Sequence, residues 1–285
     1  MTGAAIPAKP QSPTREMVGA AARSPTLLIG GGVLLFWIVC AAFGHRLVPR
    51  DPYADDLLAT LAPPSAAHWF GTDQLGRDVF SRVIVGSRDI LTIAPVATLL
   101  GTVLGTLLGL FVGYFGGAVD SVVSRVIEAL QALPLIVVAL LALAAVGTSN
   151  LTVILVIGFV FTPLIARTVR AAVMIESRLD YVAAAHLRGD NAAAVMFVEI
   201  LPNVMPLVVV EMTVRLGYAI FFVASLSFIG FGIQPPSADW GIAIAENYSL
   251  IGSYWWTVMF DAAATASLVI GVNLAADGIQ GLFDS

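Results

Sequence analysis

The chain has 285 residues, of which 58% are hydrophobic and only 12% charged, about half the roughly 25% usual in soluble domains. With a mean hydropathy of +0.91, this composition excludes a soluble globular domain and indicates a polytopic membrane protein. The net charge of −5 argues against a nucleic-acid partner, and the single cysteine, Cys40, excludes an internal disulfide or a cysteine-ligated zinc site.

The first 25 residues are rich in Pro, Ala and Ser and read as a mobile tail. They hold the sole lysine, Lys9, in Pro7-Ala8-Lys9-Pro10. A phosphate-cradling P-loop needs Gly-x-x-x-x-Gly-Lys-Ser/Thr, so the chain has no nucleotide site of that type. A first transmembrane helix follows over 26–45, read as a retained anchor because further apolar runs come after it.

Residues 46–88 form a loop broken by Pro49, Pro52, Pro63 and Pro64. Near its end, Val79, Phe80, Val83 and Ile84 are apolar at helical spacing between Arg77, Asp78 and Arg82. That pattern predicts a short amphipathic helix in the membrane interface. His68 and Asp73 lack the further ligands that a metal site requires.

Ile90 to Val119 carries no charge and predicts a long second span. Gly101, Gly105, Gly109 and Gly113 recur on it every fourth residue, a smooth stripe that lets another backbone approach. The stripe suits either packing within this chain or contact with a second membrane subunit. The 38 charge-free residues from Ala129 to Ala166 would run about 57 Å as one helix, too long for a single crossing. Gly147-Thr148-Ser149-Asn150 has a turn composition, so two helices are predicted there. A fifth span is predicted from about Met205 to Gly232 and a sixth from about Trp256 to Ala276, with Asp261 interfacial. Trp240, Tyr248, Tyr254, Trp255 and Trp256 between them suggest a shallow re-entrant or interfacial helix.

The fold class is therefore an all-α membrane protein with six transmembrane helices. With the N-terminus inside, inner segments hold eight Arg or Lys against five outside, which favours cytoplasmic N- and C-termini. Glu211 and Arg215 are the charges of the fifth span. Four residues apart, they share a helix face and can pair. Mid-membrane charges face an interior or a water path, so the pair is either structural or part of a gate.

The segment between the fourth and fifth spans contains Asp180, a candidate N-cap, and Gly189, a candidate residue to end a helix in the left-handed conformation. Between them lie Tyr181, Val182, Ala183, Ala184, Ala185, His186, Leu187 and Arg188, a slim helix too short to persist alone in water. It is expected to dock on a partner, with a second helix and a stop at Pro202 after it.

This segment, within 171–203, resembles the EAA loop of ABC importer permeases: Ala184, Ala185, Gly189, Leu201 and Pro202 match in spacing, while Ala183 stands where the family has glutamate. Gly71-Thr72-Asp73-Gln74-Leu75-Gly76-Arg77-Asp78 resembles the first-loop signature of the C-type dipeptide, oligopeptide and nickel permeases. Leu226-Ser227-Phe228-Ile229-Gly230-Phe231-Gly232, with Pro235, Pro236, Trp240 and Gly241, resembles the end of their fifth span and the loop beyond.

The resemblance implies a type I ABC importer permease fold, with a permease core over 89–285, in the inner membrane of a bacterium or archaeon. It implies a non-catalytic permease of an ATP-driven peptide importer. Nickel or another small solute is the alternative substrate, and an ion-coupled secondary transporter the alternative of another class. The implied partners are a homologous second permease, two cytoplasmic ATPase domains that bind ATP and Mg, and an extracytoplasmic substrate-binding protein. No cofactor or metal is implied in this chain. Asp180, Tyr181, Ala183, Ala184, Ala185, His186 and Gly189 are the implied ATPase-coupling residues, with Glu176 and Asp180 as nearby candidates to replace the missing glutamate. Asp73, Arg77, Asp78 and Trp240 are candidates for docking the binding protein, and the glycine stripe for permease–permease packing.

Overall fold

A computed structural model describes residues 24–283. The expected tail falls almost wholly outside the described residues. The described chain is helical, with one isolated bridge between Thr72 and Asp78.

Helix α1 (Pro25–Leu47) starts at a Ser24 cap with Pro25 in the first turn, where its missing N–H removes nothing from the helix. Helix α2 (Val79–Phe115) has 37 residues, about 55 Å, well beyond the roughly 30 Å of hydrocarbon. The separate interfacial helix expected at Val79–Ile84 is instead the first turns of α2. Ser81 to Ser87 are all buried there. Arg82 looks like a polar-face residue in the sequence, yet it points inward and donates to the Pro52 and Ser237 carbonyls at 3.3 and 3.4 Å.

The glycine stripe of α2 packs on α5 (Asn150–Glu176) of the same chain. A Cβ on Gly101 would lie 2.9 Å from the Gly158 carbonyl, on Gly105 2.7 Å from Ile165 Cβ, on Gly109 2.7 Å from the Ala166 carbonyl, and on Gly113 2.8 Å from Val173 Cβ. Gly101, Gly105, Gly109 and Gly113 are thus all buried against α5, in line with the intrachain one of the two readings of the stripe.

Helices α3 (Gly117–Gln131) and α4 (Leu135–Val146) meet at Pro134 with an 87° bend. Among the described residues five helices are long and apolar enough to cross a membrane, and this bent pair would make a sixth. The break between α4 and α5 falls at Gly147–Ser149, where Ser149 caps α5 by accepting from Thr152 N–H at 3.1 Å.

Helix α6 is Asp180–Leu187, and α7 is the long helix Ala192–Ile229. The expected stop at Pro202 does not occur. The backbone widens to a π-helix over Val195–Ile200, so the Leu201 N–H reaches the Met196 carbonyl, and Pro202 enters the α-helical part that follows. The widened turn absorbs the missing proline donor. Helix α8 (Trp240–Asn247) is capped by Asp239 and lies against α7, where a Cβ on Gly241 would be 2.4 Å from the Ala224 carbonyl. Helix α9 (Trp256–Phe283) closes the bundle against α1 and α7. Asp261, expected at an interface, is 2% exposed inside it.

Two ends of the bundle are thus distinct. The 48–78 loop, the start of α2 and α8 share one. At the other, the Tyr114 ring lies 6.2 Å from that of His186 in α6, and Gly278 of α9 packs on Leu27 at the start of α1.

Candidate coupling surface and solute path

Helix α6 begins one residue earlier in its cap than expected. Leu179 is the N-cap, with no side-chain acceptor, and Asp180 is the first helical residue. Asp180 therefore does not cap α6, although a carboxylate in the first turn still complements the helix dipole. The other end follows the expected chemistry. Gly189 has φ +84°, its N–H donates to the His186 carbonyl at 3.0 Å, and the Asp190 N–H to the Ala185 carbonyl at 3.2 Å. These two bonds form a Schellman motif, which needs a residue tolerant of the left-handed region.

The eight residues divide by face. Val182 and Ala185 are buried and join the core. The Tyr181 hydroxyl donates to Glu176 Oε2 at 2.7 Å, tying α6 to the end of α5. Burial, reinforced by the Glu176 carboxylate, pushes the Tyr181 phenol up to about 12. Ala183, Ala184 and His186 face outward, and Leu187 is 91% exposed. Nearby Leu179, Phe197 and Val198 are exposed as well. The apolar contribution of Leu187 and of Phe197 and Val198 was not singled out by motif spacing. The signal available for Leu187 was its place on the helix face opposite Val182. Arg188 pairs with Asp190 at 2.8 Å and with Glu199, clipping α6 to α7. Glu176 is thus held by Tyr181, whereas exposed Asp180 forms no ion pair among the described residues.

Glu211 and Arg215 do pair on α7, with Arg215 Nε 2.7 Å from Glu211 Oε1. The Arg215 guanidinium also lies over the Tyr218 ring, 5.7 Å from its centroid. Both charged side chains are partly buried and both sit within the apolar length of α7.

At the opposite end the Gly71–Asp78 segment folds on itself. Asp73 Oδ1 accepts from the Leu75 and Arg77 amides at 2.9 and 3.0 Å, and Oδ2 from Arg77 Nε at 2.6 Å. Arg77 reaches on to Glu246 of α8 at 2.7 Å. Asp78 caps α2, with Oδ2 accepting from the Ser81 N–H and hydroxyl at 2.9 and 2.6 Å and Oδ1 bonded to His68 Nδ1 at 2.9 Å. Gly71 at φ +75° leaves no space for a side chain, since a Cβ would lie 2.6 Å from both the Ala62 carbonyl and Trp256 Cδ1. Trp256 Nε1 in turn donates to the Thr72 carbonyl at 3.2 Å.

Of the candidate docking residues, Asp73, Asp78 and Trp240 are 2%, 3% and 0% exposed, so their side chains support this end of the bundle from within. Trp240 donates to the Val83 carbonyl at 2.9 Å and meets Trp37 edge-on at 4.8 Å. Motif recognition found these residues but not the interior they serve. Asp239, beside Trp240, was missed altogether. Its Oδ1 accepts from Ile242 N–H at 3.0 Å, Oδ2 has no hydrogen-bond partner among the described residues, and burial pushes its carboxyl up to about 6.

Comparison with known proteins shows the family to which the chain belongs. The family described as "Binding-protein-dependent transport system inner membrane component" matches residues 105–285. A probable D,D-dipeptide transport system permease protein of Escherichia coli (strain K12) is 35% identical over 280 residues, covering 97% of this chain and 94% of that protein. A dipeptide transport system permease protein of the same organism is 36% identical over 281 residues, covering 96% and 94%. A di/tripeptide transport system permease protein of Pseudomonas aeruginosa (strain UCBPP-PA14) is 33% identical over 279 residues, covering 96% and 92%.

Proposed function

The chain belongs to the family of binding-protein-dependent transport system inner membrane components, and from this premise we propose that it carries short peptides across the membrane as one half of an ATP-driven importer. As a permease component it is non-catalytic, and ATP and Mg are bound by a separate ATPase subunit. The peptide assignment rests on the relatives, which are named for dipeptide, D,D-dipeptide and di/tripeptide transport. The proposed assembly adds a homologous second permease, two ATPase domains and an extracytoplasmic binding protein.

The observation that carries the coupling assignment is α6. It is a short helix, locked at its C-terminal end by Gly189 and seated inward by Val182 and Ala185. Its outward Ala183, Ala184 and Leu187 are left for another protein. A slim apolar face of this kind fits a groove on the ATPase, and the α6 end of the bundle is then cytoplasmic, with both chain termini. Asp180 is the carboxylate available to stand in for the glutamate absent at Ala183, because Glu176 is engaged by Tyr181. Glu211 and Arg215 are placed on the translocation path, and the surface around the 48–78 loop and α8 receives the binding protein.

The test is uptake of a labelled dipeptide into vesicles holding the full complex. Uptake is expected to need ATP, the binding protein and this chain, and to persist when ion gradients are collapsed. Uptake that continues without ATP and stops when the gradients are removed would establish the secondary-transporter alternative instead.

A further inference from the structure

Between α7 and α9 lies an open groove of about 350 Å³ lined by Gly217, Tyr218, Phe221, Asn273 and Asp277, among others. Its floor exists because residue 217 has no side chain: a Cβ there would be 2.6 Å from Asn273 Oδ1. Asn273 and Asp277 are both exposed in the groove wall. Asp277 forms no ion pair among the described residues.

These polar groups belong to helices that are otherwise apolar enough to span the membrane. Gly278 packs on Leu27 in the first turn of α1, so Asp277 sits at the α6 end of the bundle and Asn273 one turn further in. Glu211, Arg215, Tyr218 and Phe221 recur on one face of α7 beside the groove. An amide and a carboxylate on such a surface are costly against lipid and are expected to face water or a partner. Arg215 is already neutralised by Glu211, so the net charge of the groove comes from Asp277. The rings of Tyr218 and Phe221 add faces that attract cations.

We propose that this groove is a cation-attracting subsite on the exit side of the translocation path, in which Asp277 and Asn273 receive the ammonium group of a passing peptide's amino terminus. The proposal rests on the peptide-permease reading and on the path assigned through Glu211 and Arg215. It commits Asp277 to meeting solute and not lipid or the second permease.

The single native cysteine makes the test direct. Cys40 is buried in the core, so a Cys40→Ala background is expected to transport normally and to carry no reactive thiol. In the full complex, a cysteine placed by Asn273→Cys is reacted with water-soluble cationic and anionic methanethiosulfonates. A carboxylate one helical turn away, about 6 Å, favours the cationic reagent over the anionic one by about tenfold even with water-like screening. Adding Asp277→Asn should abolish that preference. In the Cys40→Ala complex with Asn273 intact, Asp277→Asn should lower the maximal rate of dipeptide import severalfold while Asp277→Glu restores it, with peptide affinity of the binding protein unchanged.

Labelling without charge preference, unaltered by Asp277→Asn, would overturn the ammonium subsite and leave the path reading standing. Absence of labelling at Asn273→Cys in a transporting complex, with labelling at Arg215→Cys in a Glu211→Gln background, would show the groove covered and also overturn it. Absence of labelling at both positions would overturn the path reading itself.

Discussion

Gly189 offers the sharpest test of coupling, because the structure separates its backbone role from its surroundings. Its φ of +84° lies in the left-handed region, and nothing lies within 4 Å of where a Cβ would be. Substitution therefore costs conformational strain and not a clash. A non-glycine residue in that region costs about 1–2 kcal/mol, and Asn less. Helix α6 has eight residues and no side-chain N-cap, so its C-terminal Schellman motif is a main local restraint. A loss of 1–2 kcal/mol lowers the ordered population by about 5–30-fold. The expected series is Gly189→Asn mild, Gly189→Ala intermediate and Gly189→Val severe. Gly189→Asp should abolish import, since it adds charge beside Asp190 and Glu199. The assay is peptide uptake and peptide-stimulated ATP hydrolysis in vesicles containing the whole complex, with membrane abundance of the chain as control. Import should fall in that order while abundance holds and hydrolysis becomes independent of peptide. Wild-type import by the Val variant, or an Asn variant as damaged as Val, would refute the reasoning.

Three further outcomes follow from particular contacts. Gly105→Leu should destabilise the chain expressed alone, by about 1–3 kcal/mol or more, because a Cβ already lies 2.7 Å from Ile165 Cβ; a normally stable chain that only fails to co-purify with a second permease would contradict intrachain packing. Neutralising Glu211 and Arg215 together should leave assembly intact and change transport, whereas either single change should reduce the yield of folded protein by stranding a partly buried charge; uptake by the double variant equal to wild type would remove the path assignment. Asp239 is neutral in the folded chain below about 6 and ionises near 3.9 when unfolded, so the folded state holds the extra proton between those values. Its contribution is therefore present below about pH 4 and lost as pH rises through 6, on the order of 3 kcal/mol in all. Asp239→Asn keeps the α8 cap and should flatten that part of the dependence of melting temperature on pH; an unchanged slope from pH 4 to 7 would show that Asp239 is not the buried acid.

The charge-free runs of the sequence locate α1, α2, α5, α7 and α9 because lipid leaves little tolerance for charge along a spanning helix. The turn at Gly147–Asn150 is legible for the same reason that it forms, as small polar residues end one helix and cap the next. The 87° bend at Pro134 is harder to see, since Leu133-Pro134-Leu135 lies inside an unbroken apolar run. Arg82 and Asp261 are illegible for a different reason. Each looks like a solvent or interface residue by type, and only the packing of α2, α8 and α9 around them encloses both. The π-helical turn at Val195–Ile200 likewise has no local mark beyond Pro202, which in isolation reads as a stop.

The glycine stripe and the first-loop signature show how a correct motif can carry an incomplete role. Both identify positions where side chains would be intolerable or irreplaceable, and the structure explains why in terms internal to this chain. Asp73 satisfies amides of a folded loop and Asp78 caps α2, Trp240 fills the space beside Trp37, and the α2 glycines admit α5. On the proposed coupling and docking, contact with partners falls to the outward face of α6, where Leu187 joins the motif's Ala184, and to the exposed surface around the buried first-loop network. A recognition motif in this protein therefore marks the scaffold that positions an interface more than the interface itself. Arg77 illustrates the division, since its link from Asp73 to Glu246 fixes α8 against the loop. Breaking that link should loosen this whole end of the bundle before it removes any single contact from its surface.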